Sequence, residues 1–600
     1  MFFLLKSISR YVAPGNLNRR CYARCFSILH GDLRDEHQPR RSNIQIRTNA
    51  SHPIKLAHML NPGESPLLDD TIGQLLGKAV AKWPERVCVV SQDIRVTFSE
   101  LLRRVDMFAA GLKKLGLKKD DRLGIWGPND LEWYIASLSA MRLGLIVVAI
   151  NPLYQQNELI YCLQKVKVKA IVSPDSFKTN NYPKMLLAVK EMCPFMEHII
   201  VYSKDHITGI RRFVDVEALP TRKEVDAIAA EQTKISCYDA CSIQFSSGST
   251  GQPKATLISH HSAVNNSREA VRRTLEYVDG QICCNVPFFH VFALLMSQLG
   301  CLHTGKTLVL EARSFNPIKS LETVVKENCT WMFGTPTMWV NMIDVQQRLQ
   351  LPIKSLRVGC IGGAPASPEL FKRIRKILGV EDVLPLYGLT ESTGIIFQAI
   401  YGQDTNLSDT TVGYLANHVE AMVVGKNNVP VPFGEPGELW VRGYCNMIGY
   451  WEDEENTKKI LTQDGWLKSG DQFILEENGY GRIVGRLKDI VIRGGENIFP
   501  KEIEDFLLTH PKVMEAQVVG AYDEIYGEEV CACIKLYDGE KVTKEELKEY
   551  CRGKIAHFKI PRYVEFIDEY PKTTSGKIQK FQLKEQLESK GVIPMRPKLS

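Results

Sequence analysis

From about Asp70 onward, short apolar runs alternate with segments whose apolar residues recur at three- and four-residue spacing. Helices covering a largely parallel sheet read this way in sequence. Leu101, Leu102, Val105, Phe108, Ala109, Leu112 and Leu115 keep helical spacing, and Ser99 is placed to cap their helix. The run 122–126 then predicts a strand. Asp130 is placed to cap a second helix through Trp133, Ile135, Leu138 and Met141, and the all-apolar run 145–150 predicts a buried strand. The class is α/β.

Around Gly479 the texture changes. Runs 480–484 and 489–493 predict strands on either side of Gly485-Arg486-Leu487-Lys488. Pro500 suits the first turn of a helix that buries Ile503, Phe506 and Leu507. Strands at 513–519 and 530–536 follow. Thr543 with Glu546 spells a capping box before Leu547, Tyr550 and Cys551, and a strand at 562–567 leads into a polar, lysine-rich tail. These elements predict a small α+β unit over 487–600 behind a larger one over 46–486. No repeat at solenoid periods appears.

Composition narrows the class. Of 600 residues 44% are apolar, enough for one or more large cores. The formal charge of +6, from 75 basic and 69 acidic residues, is a small surplus on a large mixed-sign surface and gives no reason to expect nucleic acid as a partner. The run 145–150 is far short of the roughly 20 residues that span a bilayer, so no transmembrane segment is expected. Sixteen cysteines, scattered through apolar stretches without a CxxC pair, read as reduced core residues of an intracellular protein. Oligomeric state is not legible.

The leader differs from the rest. Lys6, Arg10, Arg19, Arg20 and Arg24 precede the first acidic residue, Asp32, with serines and apolar residues between them. That is the composition of a mitochondrial presequence, expected over 1–45, and it predicts a matrix location after removal. The apolar start from Phe2 to Leu5 also suits a secretory signal, but Lys6 cuts it short.

Ser246-Ser247-Gly248-Ser249-Thr250-Gly251-Gln252-Pro253-Lys254 follows an apolar stretch and gathers hydroxyls, glycines and one cation, the donors a polyphosphate needs. Lys254 lies three residues after the second glycine with no Ser/Thr behind it, so this is not a Walker loop. A flexible Ser/Gly connection is the plainer alternative, disfavoured by the terminal Pro-Lys and the flanking strands.

At this loop the sequence resembles the adenylate-forming superfamily of acyl-CoA synthetases, adenylation domains and luciferases. The resemblance recurs in order at Gly362-Gly363-Ala364-Pro365, Tyr387-Gly388-Leu389-Thr390-Glu391-Ser392, Ser469-Gly470-Asp471, Gly485-Arg486-Leu487-Lys488-Asp489, Gly494-Gly495-Glu496-Asn497 and Pro571-Lys572-Thr573-Thr574-Ser575-Gly576-Lys577. It spans roughly residues 70 to 585 and is most similar to the mitochondrial medium-chain acyl-CoA synthetase branch.

The resemblance implies a large multi-subdomain amino-terminal region with a small mobile carboxyl-terminal domain, and a ligase with fatty acid, ATP and coenzyme A as small-molecule substrates. It implies that Lys577 meets the acid carboxylate and the phosphates, and that Arg486 reaches ribose and phosphate. Asp471 offers two oxygens to a vicinal diol. Tyr387 offers a flat face to adenine, Thr390 a donor to the α-phosphate, and Glu391 a hard oxygen for Mg²⁺ carried by the triphosphate. Gly363, Ala364 and Pro365 are expected beneath the adenine, Lys488 as a hinge, and Gly495 and Glu496 beside the thiol channel. The acid pocket is expected near Phe289, His290 and Thr335; His290 either gates it or is a satisfied core histidine. A ligase for aryl or short-chain acids, and a nucleotide-binding regulator without catalysis, are the alternatives.

Overall fold

The computed structural model describes residues 55–246, 253–494, 496–573 and 576–595. The expected presequence, Ser247 to Gln252 of the phosphate loop, and Gly495 lie outside the described residues.

Two large mixed sheets form the core of the amino-terminal region. One has eight strands in the order Arg211–Arg212, His198–Tyr202, Ala170–Pro174, Arg122–Trp126, Ile146–Ile150, Ala240–Ser246, Lys254–Ser259 and Gly449–Tyr450, parallel until the last two pairings. The second has nine: Tyr414–Leu415, Phe397–Gln398, Asp382–Tyr387, Val358–Ile361, Cys329–Gly334, Gln281–Cys284, Leu308–Leu310, Val87–Ser91 and Ile94–Thr97. Its middle six strands are parallel. Strand Ile146–Ile150 is buried at every position, as expected of a strand covered on both faces. Helix Leu131–Leu143 is likewise buried at every position except Glu132.

Local chemistry explains where these elements begin. The helix expected after Ser99 spans Phe98–Lys114, and its cap is Thr97, whose hydroxyl accepts from Glu100 N–H at 3.1 Å. Thr97 holds the extended backbone a cap needs, whereas Ser99 already lies inside the first turn. Asp130 occupies the cap position of the next helix without bonding its amides. Its carboxylate instead takes Arg313 and the Tyr202 hydroxyl.

A third sheet, five antiparallel strands in the order His58–Asn61, Val419–Val424, Pro436–Gly443, Leu467–Leu475 and Gly481–Arg486, was not among the sequence expectations. Gly485 and Arg486 belong to its last strand rather than to a connector. The chain then turns through Leu487–Asp489 into a smaller sheet. That sheet contains Val491–Arg493, Glu496–Ile498, Val513–Asp523, Gly527–Leu536 and Tyr563–Phe566, and it has apolar clusters of its own.

Helix Pro500–Leu507 opens on its proline, and Thr543 with Glu546 forms the capping box. Strands Val513–Asp523 and Gly527–Leu536 run longer than expected because they form one hairpin. The polar tail carries an unexpected helix, Lys580–Ser589, anchored by Leu583 and Leu587. No helix among the described residues is long and apolar enough to cross a membrane, and every described cysteine is free and buried.

Candidate active site

In open α/β sheets ligands sit beyond the carboxyl ends of the parallel strands. Four adjacent strands of the nine-stranded sheet end toward one cleft of about 2350 Å³. Gln281–Cys284 leads to Phe289 and His290, Cys329–Gly334 to Thr335, Val358–Ile361 to Gly363-Ala364-Pro365, and Asp382–Tyr387 to Thr390 and Glu391. From the eight-stranded sheet come Ser246, Pro253 and Lys254. The antiparallel sheet adds Asp471 and Arg486, and the smaller unit adds Lys488 and Lys577. Every described residue expected at the site therefore lines this cleft except Glu496, which is exposed on the smaller unit away from it.

Two turns need glycine. Gly363 has φ +82°, in the left-handed region, and a Cβ on Gly388 would lie 2.0 Å from the Gly394 carbonyl oxygen. Any larger residue at 388 would push the Thr390–Ser392 turn, and Glu391 with it, out of place.

Asp471 is 2% exposed at the floor of the cleft. Tyr387 donates its hydroxyl to Asp471 Oδ2 at 2.7 Å, and Arg486 Nε lies 3.1 Å from Oδ1 without the alignment of a hydrogen bond. Oδ1 is therefore a buried acceptor with charge compensation and a vacant lone pair, as a ligand hydroxyl requires. Burial and Asp471 hold the Tyr387 phenol protonated. Burial works against the Arg486 charge, but Asp471, Tyr387, Asp489 and Glu391 more than offset it, so its pKa is raised. The Tyr387 ring packs on Phe473 and Phe397, and the residue lines the cleft.

Glu391 is held differently. Its Oε1 accepts from Ser246 Oγ at 2.9 Å and from Tyr450 OH at 2.8 Å. Mg²⁺ takes hard oxygens, often one carboxylate with substrate phosphates and water. Among the described residues no group of three His, Cys, Asp or Glu could hold a metal, so Glu391 fits that sparse mode and no all-protein cage. Tyr450 escaped the sequence reading because it stands in none of the motifs; only its adjacency to Thr256 and Leu257 across the sheet brings it here.

Lys577 is half-buried in the cleft. Burial first, then the charges of Arg486 and Lys488, pull its pKa down to about 8 against the opposing pull of Asp471 and Glu391. Its ammonium makes no ion pair among the described residues. Burial and Lys577 lower His290 to about 4, so the imidazole is neutral. Its Nδ1 receives a long 3.5 Å contact from Phe292 N–H, which leaves the proton on Nε2. Thr335 is buried, and its hydroxyl has no partner among the described residues. A Cβ on Gly576 would lie 3.1 Å from that hydroxyl, so the lysine loop sits directly over the Thr335 turn.

The smaller unit is seated by Lys501, which donates to the Ala366 carbonyl at 3.2 Å, by Arg373 stacked 5.3 Å over the Tyr537 ring, and by Met514 against the main core. The arrangement brings together a cation, a carboxylate for a metal and an acceptor for hydroxyls. It can hold a nucleotide with an anionic reactant beside its phosphates.

Comparison with known proteins agrees. The AMP-binding enzyme pattern matches residues 76–451, and that of the AMP-binding enzyme C-terminal domain matches 502–577. The chain is 39% identical over 544 residues to the mitochondrial medium-chain acyl-CoA ligase ACSF2 of Danio rerio, covering 87% of this chain and 89% of the relative. Against the Homo sapiens protein of the same name it is 39% identical over 574 residues, covering 91% and 92%. Among solved structures, ATP-bound MatB from Rhodopseudomonas palustris superposes with a TM-score of 0.76 at 25% identity, covering 87% of this chain and 99% of that one. The anthranilate CoA ligase AuaEII in complex with anthranoyl-AMP gives 0.80 at 23% identity, covering 88% and 99%. With its fold, its cleft and the match over most of its length in agreement, the chain belongs to the family of AMP-binding enzymes.

Proposed function

We propose that this protein is an ATP-dependent acid–thiol ligase that activates a medium-chain fatty acid as acyl-AMP with release of pyrophosphate, then transfers the acyl group to coenzyme A with release of AMP. The observation that carries the reading is the half-buried Lys577 ammonium, turned into the same cleft as Glu391, Asp471 and Arg486. A carboxylate must approach the α-phosphorus although both are negatively charged, and a preorganised cation between them lowers that cost. Medium chain length is taken from the two ACSF2 relatives.

In this reading Asp471 accepts from the ribose hydroxyls, and Arg486 and Lys254 meet phosphate oxygens together with the loop from Ser246 to Pro253. Thr390 donates to the α-phosphate, the Gly363-Ala364-Pro365 turn borders the adenine, and Tyr387 offers it a ring face. Glu391 would be among the oxygens that hold the Mg²⁺ brought by the triphosphate, and the ion would offset phosphate charge. Phe289, His290 and Thr335 line the acid's entry, where the neutral His290 adds no charge beside the carboxylate. The domains are 46–486 and 487–600. Rotation about Lys488 turns Lys577 away and brings Gly495 and Glu496 to the thiol, which accounts for the exposure of Glu496 in this conformation. The acid-free leader directs import to the mitochondrial matrix.

AMP release with coenzyme A, measured across straight-chain acids together with acetate and benzoate, tests the reading. Each buried methylene contributes about 0.8 kcal/mol, so kcat/KM should climb several-fold per carbon to a medium-chain optimum and then drop. A preference for acetate or benzoate would overturn the substrate, and no AMP release with any acid would overturn the ligase.

A further inference from the structure

Tyr450 touches two groups of the candidate nucleotide site at once, although it stands in none of the motifs. Its hydroxyl donates to Glu391 Oε1 at 2.8 Å, and Ser246 Oγ donates to the same oxygen at 2.9 Å. Two donors on one oxygen stop the carboxylate from turning about its last bond. Oε2 is left without a partner among the described residues. The face of the Tyr450 ring lies 5.0 Å from the Lys254 ammonium, a cation–π contact that sets the lysine relative to the carboxylate.

The backbone around Tyr450 is anchored at both ends of this arrangement. Met447 N–H donates to the Glu391 carbonyl at 2.8 Å and Ile448 N–H to the Leu257 carbonyl at 2.9 Å. Tyr450 N–H donates to Thr457 Oγ1 at 2.9 Å, and the short strand Gly449–Tyr450 pairs with Thr256 and Leu257, two and three residues after Lys254. One segment therefore grips Glu391 through its main chain and its side chain while it borders the stem of the phosphate loop.

A metal held by several carboxylates is oriented by its own ligands. Among the described residues no group of three His, Cys, Asp or Glu could share a metal, and the direction of the Glu391 carboxylate is set by its two hydrogen-bond donors. On the ligase reading above, we propose that Tyr450 is a positioning residue for the MgATP site: it fixes Glu391 with Oε2 free for the metal and holds Lys254 at a set distance from it. It touches neither nucleotide nor metal and acts through these two side chains.

The test compares wild type, Tyr450→Phe and Tyr450→Leu in acid-dependent pyrophosphate exchange, titrating Mg²⁺ at fixed ATP, and in conversion of supplied acyl-AMP to acyl-CoA. A hydrogen bond to a charged group is at stake, so Tyr450→Phe should raise the Mg²⁺ concentration for half-maximal exchange about tenfold, with the saturated rate within about twofold. Tyr450→Leu should show the same shift and also raise KM for MgATP, because the ring beside Lys254 is gone. Both should convert supplied acyl-AMP at the wild-type rate, which a merely structural role would not spare. Either variant decides alone if the other does not fold. An unchanged Mg²⁺ requirement, or equal loss of both half-reactions, overturns the role of Tyr450 and leaves the ligase standing. Absence of exchange in wild type with every acid overturns the ligase reading instead.

Discussion

Lys577 carries its charge at a cost that the fold does not recover. Burial and the neighbouring cations depress its pKa to about 8 from 10.5, so the folded chain binds fewer protons than the unfolded one between those values. The penalty is complete below pH 8 and is relieved as pH rises toward 10.5. Lys577→Ala should therefore raise Tm slightly at pH 7 while it slows adenylation by at least about 100-fold. Because kcat/KM reports the free enzyme, the adenylation rate should fall about tenfold per pH unit above 8 as the cation is lost. Lys577→Arg, charged throughout that range, should be slower but lack this limb. A pH–rate profile of pyrophosphate release in the two proteins checks both statements.

Asp471 accepts from the Tyr387 hydroxyl and lies beside the Arg486 guanidinium. Tyr387→Phe removes one hydrogen bond to its carboxylate and should cost about 1.5–3 kcal/mol, read as a raised KM for ATP in steady-state kinetics. That Lys577, Glu391 and Asp471 line one cleft was legible only through the motifs that resemble the adenylate-forming superfamily. The Tyr387–Asp471 bond and the grip of Tyr450 on Glu391 join residues 84 and 59 positions apart, and no local pattern carries them.

Elements with strong periodicity or unambiguous caps were readable: the buried strand Ile146–Ile150, the proline start of Pro500–Leu507 and the capping box at Thr543. The cap of helix Phe98–Lys114 was misplaced by two residues, since Thr97 and Ser99 offer the same hydroxyl and only backbone geometry separates them. Thr97→Ala should cost about 1 kcal/mol, and Ser99→Ala less than about 0.5 kcal/mol, in urea unfolding of the amino-terminal region. The five-stranded antiparallel sheet was missed because its strands come from distant parts of the chain, His58–Asn61 pairing with Val419–Val424. The tail helix Lys580–Ser589 was missed because only Leu583 and Leu587 are buried and most of the remaining positions are Lys, Gln or Glu. The cleft itself is a product of topology, since four neighbouring parallel strands end on the same side.

At the scale of the whole molecule, the order of the motifs foretold two units joined near Lys488, but not how they meet. Among the described residues their polar contacts include Lys501 on the Ala366 carbonyl and Arg373 on Tyr537. Arg373→Ala and Lys501→Ala should each slow adenylation a few-fold and leave thioester formation from supplied acyl-AMP unchanged. Lys488→Pro, which stiffens the turn Leu487–Asp489, should impair the thiol step most. Separate assays of the two half-reactions distinguish these effects. The central claim is that Lys577 serves the first half-reaction alone, and the direct measurement is Lys577→Ala in both assays. Acid-dependent exchange of pyrophosphate into ATP should fall by at least about 100-fold, the loss of one preorganised charge stabiliser, while supplied acyl-AMP is still converted to acyl-CoA at the wild-type rate. Equal loss of both activities in a folded protein, or exchange that survives the substitution, would contradict the account.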